Sequence, residues 1–389
     1  MKPSNLCRFF VASLLASAAL AQGGAAIAQV TPAGGYTPAD DTPTIKVGTT
    51  IFADYTYQGD LQPPKTDADG NTINPSSFNI SRAYINITGN LSHLVSFRVT
   101  PDIKQDTTAG DTLNGSYVFR LKYAYGQYNL DGAWSKGSWV KFGVHHTPYV
   151  DWEEGIYRYR FQGQIFAEKA GRGYLSSSDA GISTHYNFPS DFGDVHVGYY
   201  NGDTYTKAEP NDQKAIQIRA TLRPAPTVGV LKGLRLTAFY DSDHYIKDDA
   251  RRRFIYTATF EHKYVNAGYE HLDATDQPTG VSPEVKANGY TVWVVPRSTK
   301  GWEGLLRYDS LKPDKDGVLV GSANKDAMEQ RKIAGIAYWF HTQQPSGAAA
   351  VLLDYENTTR DSAINIAPLV PAATFTQEKR YAVHMLFNY

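Results

Sequence analysis

Cysteine is nearly missing from this chain: Cys7 is the only one in 389 residues. A disulfide framework or a cysteine-built zinc site would need thiols that are not there. A basic excess is missing too, since 38 Lys and Arg face 39 Asp and Glu for a formal charge of -1. Nucleic acid, whose phosphates demand clustered positive charge, is not an expected partner. Apolar runs are short. The longest, Phe9 to Leu20, spans about 12 residues where a membrane-crossing helix needs about 20. No nucleophile elbow, phosphate-binding glycine loop or zinc-protease helix occurs, so no catalytic residue, cofactor or metal is assigned.

Lys2 and Arg8 flank the start of that short run, and Ala26-Ile27-Ala28 follows it as a small-x-small site. The pattern predicts an export signal over 1–28, cleaved after Ala28 and carrying Cys7 away with it. Residues 29–43 form a Pro/Ala/Gly/Thr stretch without periodicity, which predicts a flexible lead-in. Beyond it no linker or composition break divides the chain, and 44–389 reads as one domain.

Tyrosine is what the sequence has in plenty: 27 Tyr exceed 17 Phe and 6 Trp together. Rings with one apolar side and one wet end suit a membrane or sugar interface. Two-residue alternation dominates the domain. Val95, Phe97 and Val99 alternate with Ser96, Arg98 and Thr100; Tyr117, Phe119, Leu121, Tyr123 and Tyr125 alternate with Arg120 and Lys122. Ile216, Ile218, Ala220 and Leu222 alternate with Gln217, Arg219, Thr221 and Arg223. About 16 such segments recur between 44 and 389. Odd-numbered connections between them are long (58–76, 146–179, 310–328) and most even-numbered ones short (90–93, 189–192, 262–263). Long loops on one rim and short turns on the other predict an all-β fold, a transmembrane antiparallel β-barrel of the outer membrane. A soluble β-sandwich or propeller would also show regular strands, but not aliphatic and tyrosine rows on nearly every outward face. The last segment sets Tyr381, Val383, Met385, Phe387 and Tyr389 against Arg380, Ala382, His384 and Asn388. A final strand of that kind closes the sheet.

Ser77 to Leu91 (SFNISRAYINITGNL), followed by Phe97 to Ile103 (FRVTPDI), resembles the second and third strands of porins of the phosphate-selective porin O/P type. The aromatic last strand, with Phe387 and Tyr389, is similar to the signal read by the barrel-assembly machinery of Gram-negative bacteria. The resemblance implies a 16-stranded general or anion-preferring porin, a homotrimer, with basic residues along the pore and on an inward-folded third loop. It implies small solutes or anions, phosphate among them, as what passes, and outer-membrane lipid as what surrounds the wall.

With the polar face of each strand inward, the pore-lining basic candidates are Arg82, Arg98, Arg120, Lys122, Lys141, Arg219, Arg223 and Arg235. Basic residues are expected to predominate from the second strand to the ninth and acids from the tenth onward, a divided wall with a transverse field. Each arginine has an alternative role in a cross-strand ion pair. The third long connection begins at Pro148, places acids before arginines and suits a short helix. Folded inward, it would bring Arg158, Arg160, Lys169 and Arg172 to a constriction. Asp67-Ala68-Asp69-Gly70-Asn71 lacks the spacing of a calcium loop and reads as a polar hairpin. His145 and His146, adjacent on a strand, should face opposite sides and not share a metal. The leading expectation is passive diffusion of small hydrophilic solutes through a water-filled barrel. The alternatives are an outer-membrane enzyme, such as a lipid hydrolase, or a secreted sugar-binding β protein.

Overall fold

A strand wet on one face and dry on the other can stand in hydrocarbon only when every backbone N–H and C=O is paired, and closing the sheet on itself meets that demand. The computed structural model describes residues 41–108, 110–169, 173–340, 348–365, 369 and 375–389. The expected signal segment 1–28 lies outside the described residues, as does Arg172. Sixteen antiparallel strands form one closed barrel, each paired with its neighbours in the chain and the last with the first. The first five are β1 (Thr44–Gln62), β2 (Ser76–Asn90), β3 (Val95–Gln105), β4 (Tyr117–Asn129) and β5 (Trp139–His146). Then come β6 (Ser178–Asn187), β7 (Gly193–Tyr200), β8 (Ala215–Leu222), β9 (Leu234–His244), β10 (Ala250–His262) and β11 (Val265–Asp276). The wall ends with β12 (Val285–Pro296), β13 (Trp302–Lys312), β14 (Glu329–Phe340), β15 (Ala348–Arg360) and β16 (Gln377–Asn388). All of the strands that alternation predicts are present, and the long and short connections fall on opposite rims.

The seam between β1 and β16 sets Thr50 opposite Asn388 and Tyr57 opposite Tyr381. Thr49 and Tyr389 exchange both backbone hydrogen bonds at 2.9 Å. Outward rows are aliphatic in the middle and aromatic at both ends. Tyr256, Tyr269, Tyr290 and Tyr308 stand on four successive strands with ring centroids 6.2, 6.3 and 6.0 Å apart. Tyr355, Tyr381 and Tyr57 continue this belt at 5.1 and 6.4 Å. At the short-turn rim Trp302, Tyr338 and Phe340 form a second belt at 4.9 and 5.0 Å. Two aromatic belts flanking an apolar band are what a barrel presents to the two faces of a bilayer. They account for part of the tyrosine count.

Two expectations are corrected. Tyr123 and Tyr125 do not share the outward face of Phe119 and Leu121. A bulge between Thr100 and Pro101 leaves Lys122 unpaired in the ladder, so the alternation of β4 shifts there and Tyr123 is buried, 3% exposed. Pro101 has no N–H to give the ladder, which is why the break falls beside it. His145 and His146 both turn inward, their rings 6.2 and 5.5 Å from that of Tyr125, because His146 lies where the strand passes into a loop.

Candidate permeation site

The connection 147–177, described over 147–169 and 173–177, folds into the lumen. After Pro148 it makes α1 (Val150–Tyr157), with Asp151 and Glu153 in the first turn, where the helix dipole favours acids. No basic residue sits in its last turn: Arg158 takes a left-handed conformation, φ 66°, and its N–H caps Glu154 O at 2.9 Å. A single further turn, α2 (Phe166–Lys169), precedes the return to β6. Tyr149, Ile156, Tyr157, Tyr159, Phe161 and Phe166 bury against inward-facing Phe239, Ile255, Leu272, Trp293, Leu305 and Trp339. Burial of each such side chain contributes about 1.5–3 kcal/mol. Gly268 and Gly289 make the fit possible, since a Cβ there would stand 2.4 Å from the Trp293 ring and 2.8 Å from Phe166.

Polar anchors fix the loop along the wall. The Tyr149 hydroxyl lies 2.6 Å from Thr257 Oγ1, and Tyr159 donates to Glu303 at 2.8 Å. At the loop's tip Gln162 Nε2 donates to Asp354 at 2.8 Å and Glu356 at 3.1 Å. Arg307 and Arg253 donate to the carbonyls of Gln164 and Tyr174, both at 3.1 Å. All of these wall partners lie on β10 to β15. The loop therefore covers one side of the lumen.

Between the loop's tip and the wall from β14 through β16 to β1 and β2 remains a cavity of about 230 Å³. Arg82, Arg160, Lys169, Arg331 and Arg380 line it, with Asp54 and Glu356 as its only lining carboxylates among the described residues. Phe52, Phe161, Gln162, Gln164 and His384 complete the surface. Most of these cations are held from behind. Asp102 sits 3.2 Å from Arg82 and 2.7 Å from Arg120. Arg160 is gripped by Glu154 at 2.6 Å and Glu168 at 3.5 Å, and burial pushes the Glu154 carboxyl up to about 7. Arg380 and Arg331 share Glu356 at 2.7 and 3.9 Å, and Arg331 also meets Asp309 at 3.3 Å. Lys169 is exposed and has no acid within ion-pair distance among the described residues.

The other sequence candidates divide into two groups. Arg98, Lys122 and Lys141 are held by uncharged groups: Arg98 donates to Asn86 at 2.8 Å and lies 4.5 Å over the Tyr123 ring. Lys122 stands 4.9 Å over Tyr84, and Lys141 stands 3.9 Å over Trp139 and 2.9 Å from His146 Nε2. Arg219, Arg223 and Arg235 are locked into the wall. Arg219 pairs with Asp194 and donates to Pro148 O at 2.7 Å; Arg235 pairs with Glu261 at 2.5 Å; Arg223 donates to Lys232 O at 2.7 Å. Arg158 reaches Glu303 at 3.7 Å and lies 4.3 Å over Trp339, away from the lining of the cavity. Phe387 and Tyr389 are on the outside, 49% and 73% exposed.

Asp102 on β3, Asp194 on β7 and Asp241 on β9 also point inward, acids among the basic residues of the half from β2 to β9. Ser183 Oγ and His145 Nε2 lie 2.6 Å apart, a distance seen between nucleophile and base. They are 3% and 0% exposed, and the contact serves as a hydrogen bond between β5 and β6.

No protein-family model matches the sequence, and no curated protein matches it. Solved structures do match. An anion-selective porin from Comamonas acidovorans is 12% identical, with 90% of this chain and 100% of that one covered at a TM-score of 0.59. OmpF of Salmonella typhi, in complex with daunomycin, is 13% identical over 89% of this chain and 97% of that one, at 0.58. OmpT of Vibrio cholerae, an outer membrane protein in a trimer form, is 12% identical over 90% and 100%, at 0.55. At such identities the likeness is one of fold, the barrel of Gram-negative outer-membrane porins.

Proposed function

We propose that the chain forms a water-filled outer-membrane channel for passive diffusion of small hydrophilic solutes, with anions preferred. One observation carries this reading. Five cations line the cavity beside the loop against two carboxylates, while Asp102, Glu154, Glu168 and Asp309, which hold those cations, are absent from its lining. An ion in the passage is nearer to the positive ends of these pairs than to the negative ones, and a low-dielectric wall concentrates that field. Near-neutrality of the whole chain is no obstacle, because selectivity depends on which charge stands in front.

Phosphate belongs among the candidate solutes through the resemblance of 77–103 to phosphate-selective porins. Arginine forks match phosphate and carboxylate oxygens alike. A homotrimer is the proposed assembly, in keeping with the trimer form of OmpT. Export through a cleaved signal over 1–28, and insertion guided by the outward row that ends at Phe387 and Tyr389, complete the proposal. The test is planar-bilayer conductance of the purified protein in a salt gradient. A reversal potential on the anion side supports the reading, and a cation-side potential or no conductance overturns it.

A further inference from the structure

Two carboxyl oxygens at the contact between loop and wall receive no donor. Glu153 of α1 and Glu270 of β11 are 1% and 0% exposed, and their carboxyl groups meet across that contact. Glu270 Oε2 accepts from the Tyr149 hydroxyl at 3.0 Å. Glu153 Oε2 and Glu270 Oε1 have no hydrogen-bond partner among the described residues.

The groups around the pair do not neutralise it. From the loop comes Tyr149, and from β10 Thr257, which meets the same hydroxyl at 2.6 Å. From β13 come Arg307 and Asp309, but Arg307 is spent on Asp309 at 2.7 Å and on Gln164 O at 3.1 Å. Two ionised carboxylates in contact would repel by about 4 kcal/mol at 4 Å and an effective dielectric near 20, beyond the cost of burying both charges. One proton between them turns repulsion into a charge-assisted hydrogen bond and satisfies both orphaned oxygens.

We propose that the constriction loop is latched to the barrel wall by a single proton shared between Glu153 and Glu270, so that pH sets how tightly the loop is held. The inference rests on the channel reading above for its consequence in conductance, and not for its chemistry. Burial raises the Glu153 carboxyl above the usual carboxylate range, so the proton is held to higher pH than on a free carboxyl and is lost as pH rises. Its loss frees α1 from β10 and β11 first. The tip remains pinned by Gln162, and the bore becomes wider and noisier.

Single-channel recordings at about pH 6 and about pH 9 test this, together with the thermal unfolding midpoint of the detergent-solubilised barrel at the same two values. A carboxyl whose folded-state pKa is raised adds stability at low pH that is lost as pH rises through that pKa. Wild type should therefore show open-channel noise that rises severalfold, and a midpoint that falls, at the higher pH. Glu270→Gln places a permanent N–H donor opposite Glu153, and Glu153→Gln does so from the loop side; both should flatten the two responses. Should one variant fail to fold, the other still decides. Flat behaviour of wild type in both measurements, or variants that respond as wild type does, overturns the latch. A pH-dependent midpoint in a protein that conducts nothing would instead remove the channel reading and leave the latch standing.

Discussion

Reversing one charge at the constriction gives the sharpest test of selectivity. Lys169 lines the passage from α2, is exposed, and has no acid within ion-pair distance among the described residues, so changing it breaks no ion pair. Lys169→Glu turns a lining of five cations and two carboxylates into four and three. An ion in the water of the passage about 6 Å away interacts with each unit charge by about 0.7 kcal/mol at the dielectric of water. Replacing positive by negative is worth twice that, about 1.4 kcal/mol, or about tenfold in the local concentration of each ion in opposite senses. Lys169→Gln should give half the effect in free energy. The assay is the zero-current potential in a salt gradient, read at about 0.1 M and again near 1 M, where the screening length falls from about 10 Å to about 3 Å. The potential should move toward cations at low salt and much less at high salt. A folded Lys169→Glu channel with an unchanged potential at low salt would refute the assignment of this cavity as the selectivity-setting passage.

Other perturbations separate charges that line the passage from charges that hold the wall. Arg219→Met strips Asp194 of its arginine inside the wall and should cost about 3–5 kcal/mol, whereas Arg98→Met, which removes only uncharged partners, should cost less; equal unfolding midpoints of the two would contradict this. Leu306→Arg puts a charge into the lipid-facing band at about 2–4 kcal/mol and should lower outer-membrane levels, as should deletion of Phe387 to Tyr389, while His384→Gln in the lumen should not. Glu154, with its carboxyl pushed up to about 7, takes up a proton as pH falls through that value and leaves Arg160 less compensated. Anion preference should therefore grow from pH 8 to pH 6, and Glu154→Gln should show the larger preference at both; parallel pH profiles in the two proteins would rule the mechanism out.

Strand positions were legible because a lipid-facing wall forces a period of two over most of the barrel. The period misleads where the ladder breaks, as at Pro101, where no residue type in β4 announces that Tyr123 has changed face. Asp102 was readable: it follows Arg98 and Thr100 at the same two-residue spacing, on the same inward row. Asp194 stands in that relation to His196. The apolar residues under the loop left a signal too. Phe239 beside Tyr240, Ile255 between Phe254 and Tyr256, and Leu305 beside Leu306 put apolar groups on both faces at once, which a water-filled lumen does not require and a covered one does. What the sequence could not yield is where the loop lands, since no local spacing relates Tyr159 to Glu303 or Gln162 to Asp354.

Those landing points also order events in time. The loop leaves the wall after the fifth strand, yet its anchors follow much later in the chain: Tyr149 to Thr257 spans 108 positions, Tyr159 to Glu303 spans 144, and Gln162 to Asp354 spans 192. Contacts so distant in sequence form only after the intervening segments are in place. During folding the filter is therefore a late part to set, and a half-built wall holds a loop that has nothing yet to grip. Because the seam joins the first strand to the last, every wall partner of the loop is in the sheet by the time the barrel closes, and closure and filter formation are coupled.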